Sequence, residues 1–223
     1  MRVGVHSQWL GHIKYEDGLK QQQRAWEAVR AGGQGVILGC EHPPVITLGR
    51  RARESEEVLG QADIPVVVTD RGGQATMHLP GQLVIYPILD LRALGISVRD
   101  YIHLLHQATQ NYLVQTHGIE AFEDAERGAG LYTVKGKIAF FGVRVDRGVT
   151  RHGLAINISN DLAPFALIRS CGYHGASLDR VIDARKTSLN SSLAAEFSSW
   201  LPGLLSVHAA YRNKAWQPRA DFQ

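Results

Sequence analysis

The sequence has little cysteine, with Cys40 and Cys171 the only two in 223 residues. That excludes a disulfide scaffold and any all-cysteine zinc site. Long hydrophobic runs are also missing. The longest, Leu83 to Leu89 (LVIYPIL), is far short of the ~20 residues that cross a bilayer. The first residues, MRVGVHSQWLGH, lack the apolar stretch of a secretory signal, so the expected compartment is the cytoplasm, with no membrane partner. No strong excess of either charge exists: 24 Lys and Arg against 21 Asp and Glu give +3. This mild basicity suits an acidic protein partner and is too weak to argue for nucleic acid. Repeats, low-complexity tracts and linkers are absent, so a single domain over residues 1–223 is expected. A Walker loop, a dinucleotide fingerprint and a GxSxG elbow are absent too. What remains, 44% hydrophobic and 20% charged, is an ordinary globular composition.

The apolar pattern predicts a helix over Tyr15 to Arg30, with Leu19, Trp26 and Val29 on one face and Gly32-Gly33 stopping it. Val36 to Leu38 and Val45 to Leu48 read as strands parted by His42-Pro43-Pro44. Ile64 to Thr69 and Leu83 to Leu89 read as buried strands, joined by a long loop, Asp70 to Gly81. Ser97 and Asp100 resemble a capping box for a helix over Val98 to His117. Val98, Ile102, Leu105 and Tyr112 line its face, and Gly118 ends it. Gly130 to Val134 and Lys137 to Val145 form hairpin arms turned at Lys135-Gly136. Leu154, Ile156 and Ile158 alternate as in a half-buried strand. A short helical turn follows Asp161, and Thr187 to Trp200 makes a last helix ended by Pro202-Gly203. Strands and helices interleave without a βαβ rhythm, which points to a mixed α+β sheet.

Three places could carry chemistry. In Arg71-Gly72-Gly73-Gln74-Ala75-Thr76-Met77-His78, paired glycines let backbone N–H groups approach a ligand, though they equally suit a tight turn. His78 alone is more often a structural histidine than a ligand. Cys171 lies in a loop-like setting between Pro164 and Gly172, where a thiolate would be a good acyl-transfer nucleophile if a nearby cation lowered its pKa. A lone cysteine is otherwise a small hydrophobe, the role assigned to Cys40. Lys137 is the candidate cation, but spacing alone does not select it over a solvated lysine such as Lys135. His103 and His106 stand i, i+3, and with no third ligand they are read as a solvated face.

Taken in order, four blocks resemble the octanoyltransferase family (octanoyl-acyl-carrier-protein:protein N-octanoyltransferase, or lipoyl/octanoyl transferase). They are Asp70-Arg71-Gly72-Gly73-Gln74 with Thr76, His78 and Pro80-Gly81-Gln82; Gly136-Lys137-Ile138 with Gly142-Val143-Arg144; His152-Gly153-Leu154-Ala155 with Asn157; and Asp161-Leu162, Pro164-Phe165, Cys171-Gly172. The likeness spans roughly Tyr15 to Ile182. It implies the α/β catalytic fold of biotin and lipoate–protein ligases. It also implies transfer of an octanoyl or lipoyl group from acyl carrier protein to a lysine of a lipoyl domain, as in 2-oxoacid dehydrogenases and the glycine cleavage H protein. Cys171 matches the family's nucleophile and Lys137 the lysine that lowers its pKa. The acyl-pocket segments correspond to Arg71 through His78, Phe140, Phe141 and Gly142, and Gly153, Leu154 and Ala155. No cofactor is implied, neither metal nor nucleotide, because the donor thioester is already activated.

Leu79 stands where the family usually has glycine, Phe140 where it has a small residue and Ser170 where proline is common; these changes are expected to reshape the acyl tunnel. The alternatives are a lipoyl amidotransferase, an ATP-dependent lipoate–protein ligase on the same fold, or a non-catalytic carrier-domain binder. Cys171 speaks against the ligase. Arg71, Arg144 and Arg169 are candidates for a carrier-docking patch by proximity to the motifs.

Overall fold

The computed structural model describes residues 4–59, 63–169, 177–181 and 191–215. The elements run β1 (Val5–His12), α1 (Tyr15–Arg30), β2 (Gly35–Glu41), β3 (Val45–Leu48), α2 (Glu54–Glu57), β4 (Val66–Val68), β5 (Ala75–His78), β6 (Gln82–Ile88), α3 (Val98–His117), β7 (Phe122–Asp124), β8 (Gly128–Tyr132), β9 (Lys137–Asp146), β10 (Val149–Asn157), a 3-10 turn (Ala163–Leu167) and α4 (Ser191–Ala215).

Seven strands form one sheet in the order β1-β2-β6-β10-β9-β8-β7, and β4-β3-β5 form a smaller one. In the large sheet β1 pairs parallel with β2 and the other pairs are antiparallel. The mixed sheet is the one expected. Alternation along the central strands divides the core. Ile37, Leu83, Ile85, Leu154 and Ile156 pack under α3 and α4, while Leu38, Val84, Tyr86 and Ala155 pack under Trp26 and Val29 of α1. Because both faces are covered, β6 and β10 are buried throughout or nearly so, and the half-buried reading of Leu154 to Ile158 is corrected. A third cluster fills the space between the small sheet and β9. It holds Ile46, Leu48, Met77, Leu79, Phe140, Phe165 and Ile168.

Helix α3 keeps its expected bounds. The Ser97 hydroxyl accepts from the Asp100 N–H, and Gly118 closes the end in the left-handed region. Its buried face differs: Tyr101, Leu104, Leu105, Ala108, Tyr112 and Leu113 face the core, while Val98 is exposed. The last helix does not stop at Pro202. Proline removes one backbone donor there, and α4 continues to Ala215. The expected start of that helix, Thr187 to Asn190, lies outside the described residues. Tyr112 of α3 meets Phe197 of α4 edge to face at 5.6 Å. Two strands were not anticipated, β1 and β7, both at sheet edges. The Asp70–Gly81 segment is also only partly a loop, since β5 lies within it. The VVV strand β4 is no buried strand: Val68 is 77% exposed at the edge of the small sheet.

Candidate active site

The two sheets enclose a cavity of about 380 Å³, within the size range of small-molecule sites. Arg71, Gly72, Gly73, Gln74, Ala75, Thr76 and His78 line it from the small-sheet side. Lys137, Phe140, Phe141, Gly142, Gly153, Leu154 and Ala155 line it from β9 and β10. So all but two of the residues expected at a site converge. Met77 does not, because alternation along β5 turns it into the third apolar cluster, where it is fully buried. Cys171 lies outside the described residues, as does Ser170. Leu79 also packs in the third cluster rather than in the cavity.

Lys137 opens β9, and 3% of it is exposed. Tyr132 pairs with Lys137 while Leu131 pairs with Ala139, so one extra residue is inserted in β9. The consecutive Ile138 and Ala139 both enter the core under α3. A bulge of this kind re-aims the flanking side chains, and it brings Lys137 to the side of Phe140. The Nζ donates to the Ala129 carbonyl at 2.5 Å and lies 4.9 Å from the Phe140 ring centre and 5.6 Å from that of Tyr132. Gly130 is required beside it, since a Cβ there would sit 2.3 Å from Lys137 Cε. The strand's start is fixed on its other side by the Lys137 N–H to the Ser177 carbonyl, 2.8 Å, and the Asp179 N–H to the Lys137 carbonyl, 3.0 Å. The chain therefore returns to Lys137 six residues after Cys171. Lys135 is exposed, as expected.

Arg71 is buried, not part of a surface patch, which corrects its reading as a docking residue. Its Nε and Nη2 donate to Thr47 Oγ1 at 3.1 and 2.9 Å, Nη2 also to the Thr47 carbonyl at 2.5 Å, and Nη1 to the Gly72 carbonyl at 2.9 Å. The loop is fastened at two more points. Glu57 accepts from the Ala75 N–H, and the Gly72 N–H donates to the Val143 carbonyl at 3.1 Å. Before Arg71, Asp70 gathers three cationic or titratable partners from β9 and β10. Arg144 Nε lies at 3.1 Å and His152 Nε2 at 2.7 Å, and Arg151 is in direct contact. Burial raises the Asp70 carboxyl, but the His152 hydrogen bond and the charges of Arg151, His152 and Arg144 outweigh it, so its pKa is lowered. Burial lowers the pKa of His152, with Asp70 opposing. His152 also holds a left-handed φ of 55°, a conformation that costs energy for a side chain with a Cβ and clusters at functional sites. Its N–H donates to Gln22 on α1 at 2.8 Å.

A polar floor was missed in the sequence. Tyr15, His42 and His78, distant in the chain, meet pairwise with ring centres 5.3–5.7 Å apart, and His42 also lies 6.0 Å from Tyr86. The His42 Nδ1–H donates to the Ile13 carbonyl at 2.7 Å, which leaves Nε2 to accept from the Tyr86 hydroxyl at 2.8 Å. Burial lowers the pKa of His42 and takes that of His78 well below its ordinary value. It also raises Tyr15 to about 12 and pushes Tyr86 well up. The floor is therefore uncharged at neutral pH. The one signal available was His42 itself, a histidine between a strand and two prolines. His152 stood in a quoted motif but not among the expected site residues. Cys40 is fully buried with its pKa raised by burial, the bland role expected of it.

His106 corrects another expectation. It is buried, 2.9 Å from Glu123 and packed 4.2 Å from Phe141, so it is not on a solvated face. Among the described residues no cluster of three His, Cys, Asp or Glu is placed to hold a metal, and no helix is long and apolar enough to cross a membrane.

The chain is similar to known proteins in sequence and in fold. The lipoyl protein ligase A/B catalytic domain matches residues 14–199. The octanoyltransferase of Halorhodospira halophila is 39% identical over 208 residues, 93% of this chain and 94% of that protein. That of Cellvibrio japonicus is 48% identical over 173 residues, 74% of this chain and 79% of that protein. Among solved structures, a lipoate-protein ligase A bound with ATP aligns with TM-score 0.65 at 15% identity, covering 92% of this chain and 86% of that one. That last likeness is one of fold.

Proposed function

We propose a two-step acyl transfer through Cys171 for this chain, which belongs to the octanoyltransferases of the lipoyl protein ligase A/B catalytic family and transfers octanoyl groups in protein lipoylation. The acceptors are lipoyl domains and the donor is an activated acyl group. In our reading the donor is octanoyl-acyl carrier protein, and the acceptors include the lipoyl domains of 2-oxoacid dehydrogenases and the glycine cleavage H protein.

In the first step the Cys171 thiolate attacks the donor carbonyl. A carbon–sulfur bond to Cys171 forms, the bond to the carrier thiol breaks, and the Lys137 ammonium gives its proton to the departing thiolate. In the second step the neutral amine of the acceptor lysine attacks the thioester. The carbon–nitrogen bond forms, Cys171 leaves as a thiolate, and the proton shed by the new amide nitrogen returns to Lys137. Splitting the transfer lets one small site serve two bulky partners in turn. An ammonium beside the sulfur lowers the thiol's pKa, and the same group moves the proton both ways.

The observation that carries the reading is the buried Lys137 on the wall of the cavity, its backbone hydrogen-bonded to Ser177 and Asp179, six and eight residues after Cys171 in the chain. Leu154, Ala155 and Phe140 give the dry surface an eight-carbon chain needs, at ~0.8 kcal/mol per buried methylene. Backbone N–H groups near Cys171-Gly172 and in the 71–78 loop would meet the oxyanion. The uncharged Tyr15–His42–His78–Tyr86 floor adds no positive charge to that of Lys137, Arg71 and Arg51 around the cavity. The test is octanoyl-amide formation on a lipoyl domain by Cys171→Ala. Loss of turnover with retained folding is expected, and turnover near wild type would overturn the proposal.

A further inference from the structure

The Phe140 ring, 7% exposed, meets both Lys137 and the turn that precedes Cys171 in the chain. On one side is the Lys137 nitrogen, 4.9 Å from the ring centre, within the distance at which an aromatic face attracts a cation. It also stacks on Phe165 at 5.5 Å with the planes only 12° apart. Phe165 belongs to the 3-10 turn Ala163–Leu167 and shares its apolar cluster with Phe140 and Ile168. From Ile168 the chain runs three residues to Cys171. A single ring thus bridges the lysine and the segment leading to the cysteine, while also walling the acyl cavity. Without the extra residue in β9, Phe140 would face away from Lys137.

We propose that Phe140 is a positioning and specificity-determining residue: stacked on Phe165, its ring holds the Lys137 ammonium in place and narrows the acyl cavity that it lines. This rests on Lys137 and Cys171 being the reacting pair. Around Lys137, the titratable groups on adjacent elements are Tyr132, whose hydroxyl is bound by the carbonyls of Arg127 and Gly128, and Asp179, whose carboxylate accepts from Thr133. Arg71 and His78 lie on the same cavity. A phenyl face attracts the ammonium whatever the state of these groups, whereas an aliphatic side chain of similar size fills space only.

The experiment measures single-turnover acylation, followed by intact mass, for wild type, F140A, F140L and F140Y. Octanoyl- and decanoyl-carrier protein are the donors, across pH, with thermal unfolding as the folding control. F140A is expected to raise the decanoyl-to-octanoyl rate ratio about tenfold, the order expected for two buried methylenes, whereas F140L and F140Y keep it. F140A and F140L are both expected to narrow the active pH window from each side, by about half a unit to one unit, as the ammonium–thiolate pair loses its placement. F140Y restores the window. If F140A leaves the ratio unchanged, or if F140L has the wild-type window, the proposal is overturned. Should F140A not fold, the window of F140L against F140Y decides it. A wild type that forms no acyl adduct would instead overturn the two-step reading itself.

Discussion

Two buried cations line the same cavity, and they are held by opposite means. Arg71 has its guanidinium spread over Thr47 Oγ1, the Thr47 carbonyl and the Gly72 carbonyl, a rigid fork matched to several acceptors. Lys137 meets the Ala129 carbonyl and the faces of Phe140 and Tyr132, with ring faces among the groups that hold its charge. The difference shows how a protein assigns roles to like charges. Arg71 joins β3 to the glycine loop as scaffold, whereas Lys137, in the proposed reaction, is the group that moves the proton.

The largest effect expected from this contrast is on rate, at Lys137. Lys137→Ala should cut acylation by about 10²–10⁴-fold, read from single-turnover kinetics, with little change in folding. Lys137→Arg should not rescue it, because a guanidinium holds its proton through the working pH range. At Arg71 the larger effect is on stability. Arg71→Met strands the buried Thr47 oxygens, at about 1–3 kcal/mol for each unsatisfied group, and calorimetry should show Tm falling by about 2–4 °C per kcal/mol. Arg71→Lys should recover only part of this.

Next in size is the Asp70 hub that ties the loop to β10. Asp70→Asn should cost about 1–2 kcal/mol by chemical denaturation, a modest figure because Asp70 is 41% exposed and its ion pairs are partly screened. The pH dependence has a definite sign. His42, His78 and His152 all have pKa values below the ordinary 6.5 in the folded state. The unfolded chain therefore takes up protons first as pH falls, and stability that is full above about 7 is lost below about 6.5. Asp70, also lowered, adds a loss only near and below the ordinary carboxylate value. The smallest effect should come from the edge strand: Val68→Thr, at 77% exposure, should stay within about 0.5 kcal/mol.

Local chemistry made α1, α3 and the central strands legible in the sequence. The Ser97 cap, the left-handed Gly118 and the apolar runs of β2 and β6 act within a few residues of one another. The same locality explains what was not legible. β1 is polar on its exposed positions and becomes a strand because β2 offers it an edge. Val66 to Val68 look like core, yet Val66 and Val68 are exposed and only Val67 is partly buried. At the site, the contiguous glycine loop and the β9 segment were readable as motifs. The Tyr15–His42–His78–Tyr86 floor joins positions up to 71 apart and exists only after folding. Met77 followed its motif in sequence and its strand parity in space, and parity prevailed.

The most direct measurement is peptide-level mass spectrometry after mixing the protein with octanoyl-carrier protein and no acceptor. One hydroxylamine-labile octanoyl group is expected on the peptide containing Cys171, with Cys40 unmodified. An octanoyl group on another residue, or amide product on a lipoyl domain with no acyl-enzyme ever present, would contradict transfer through Cys171.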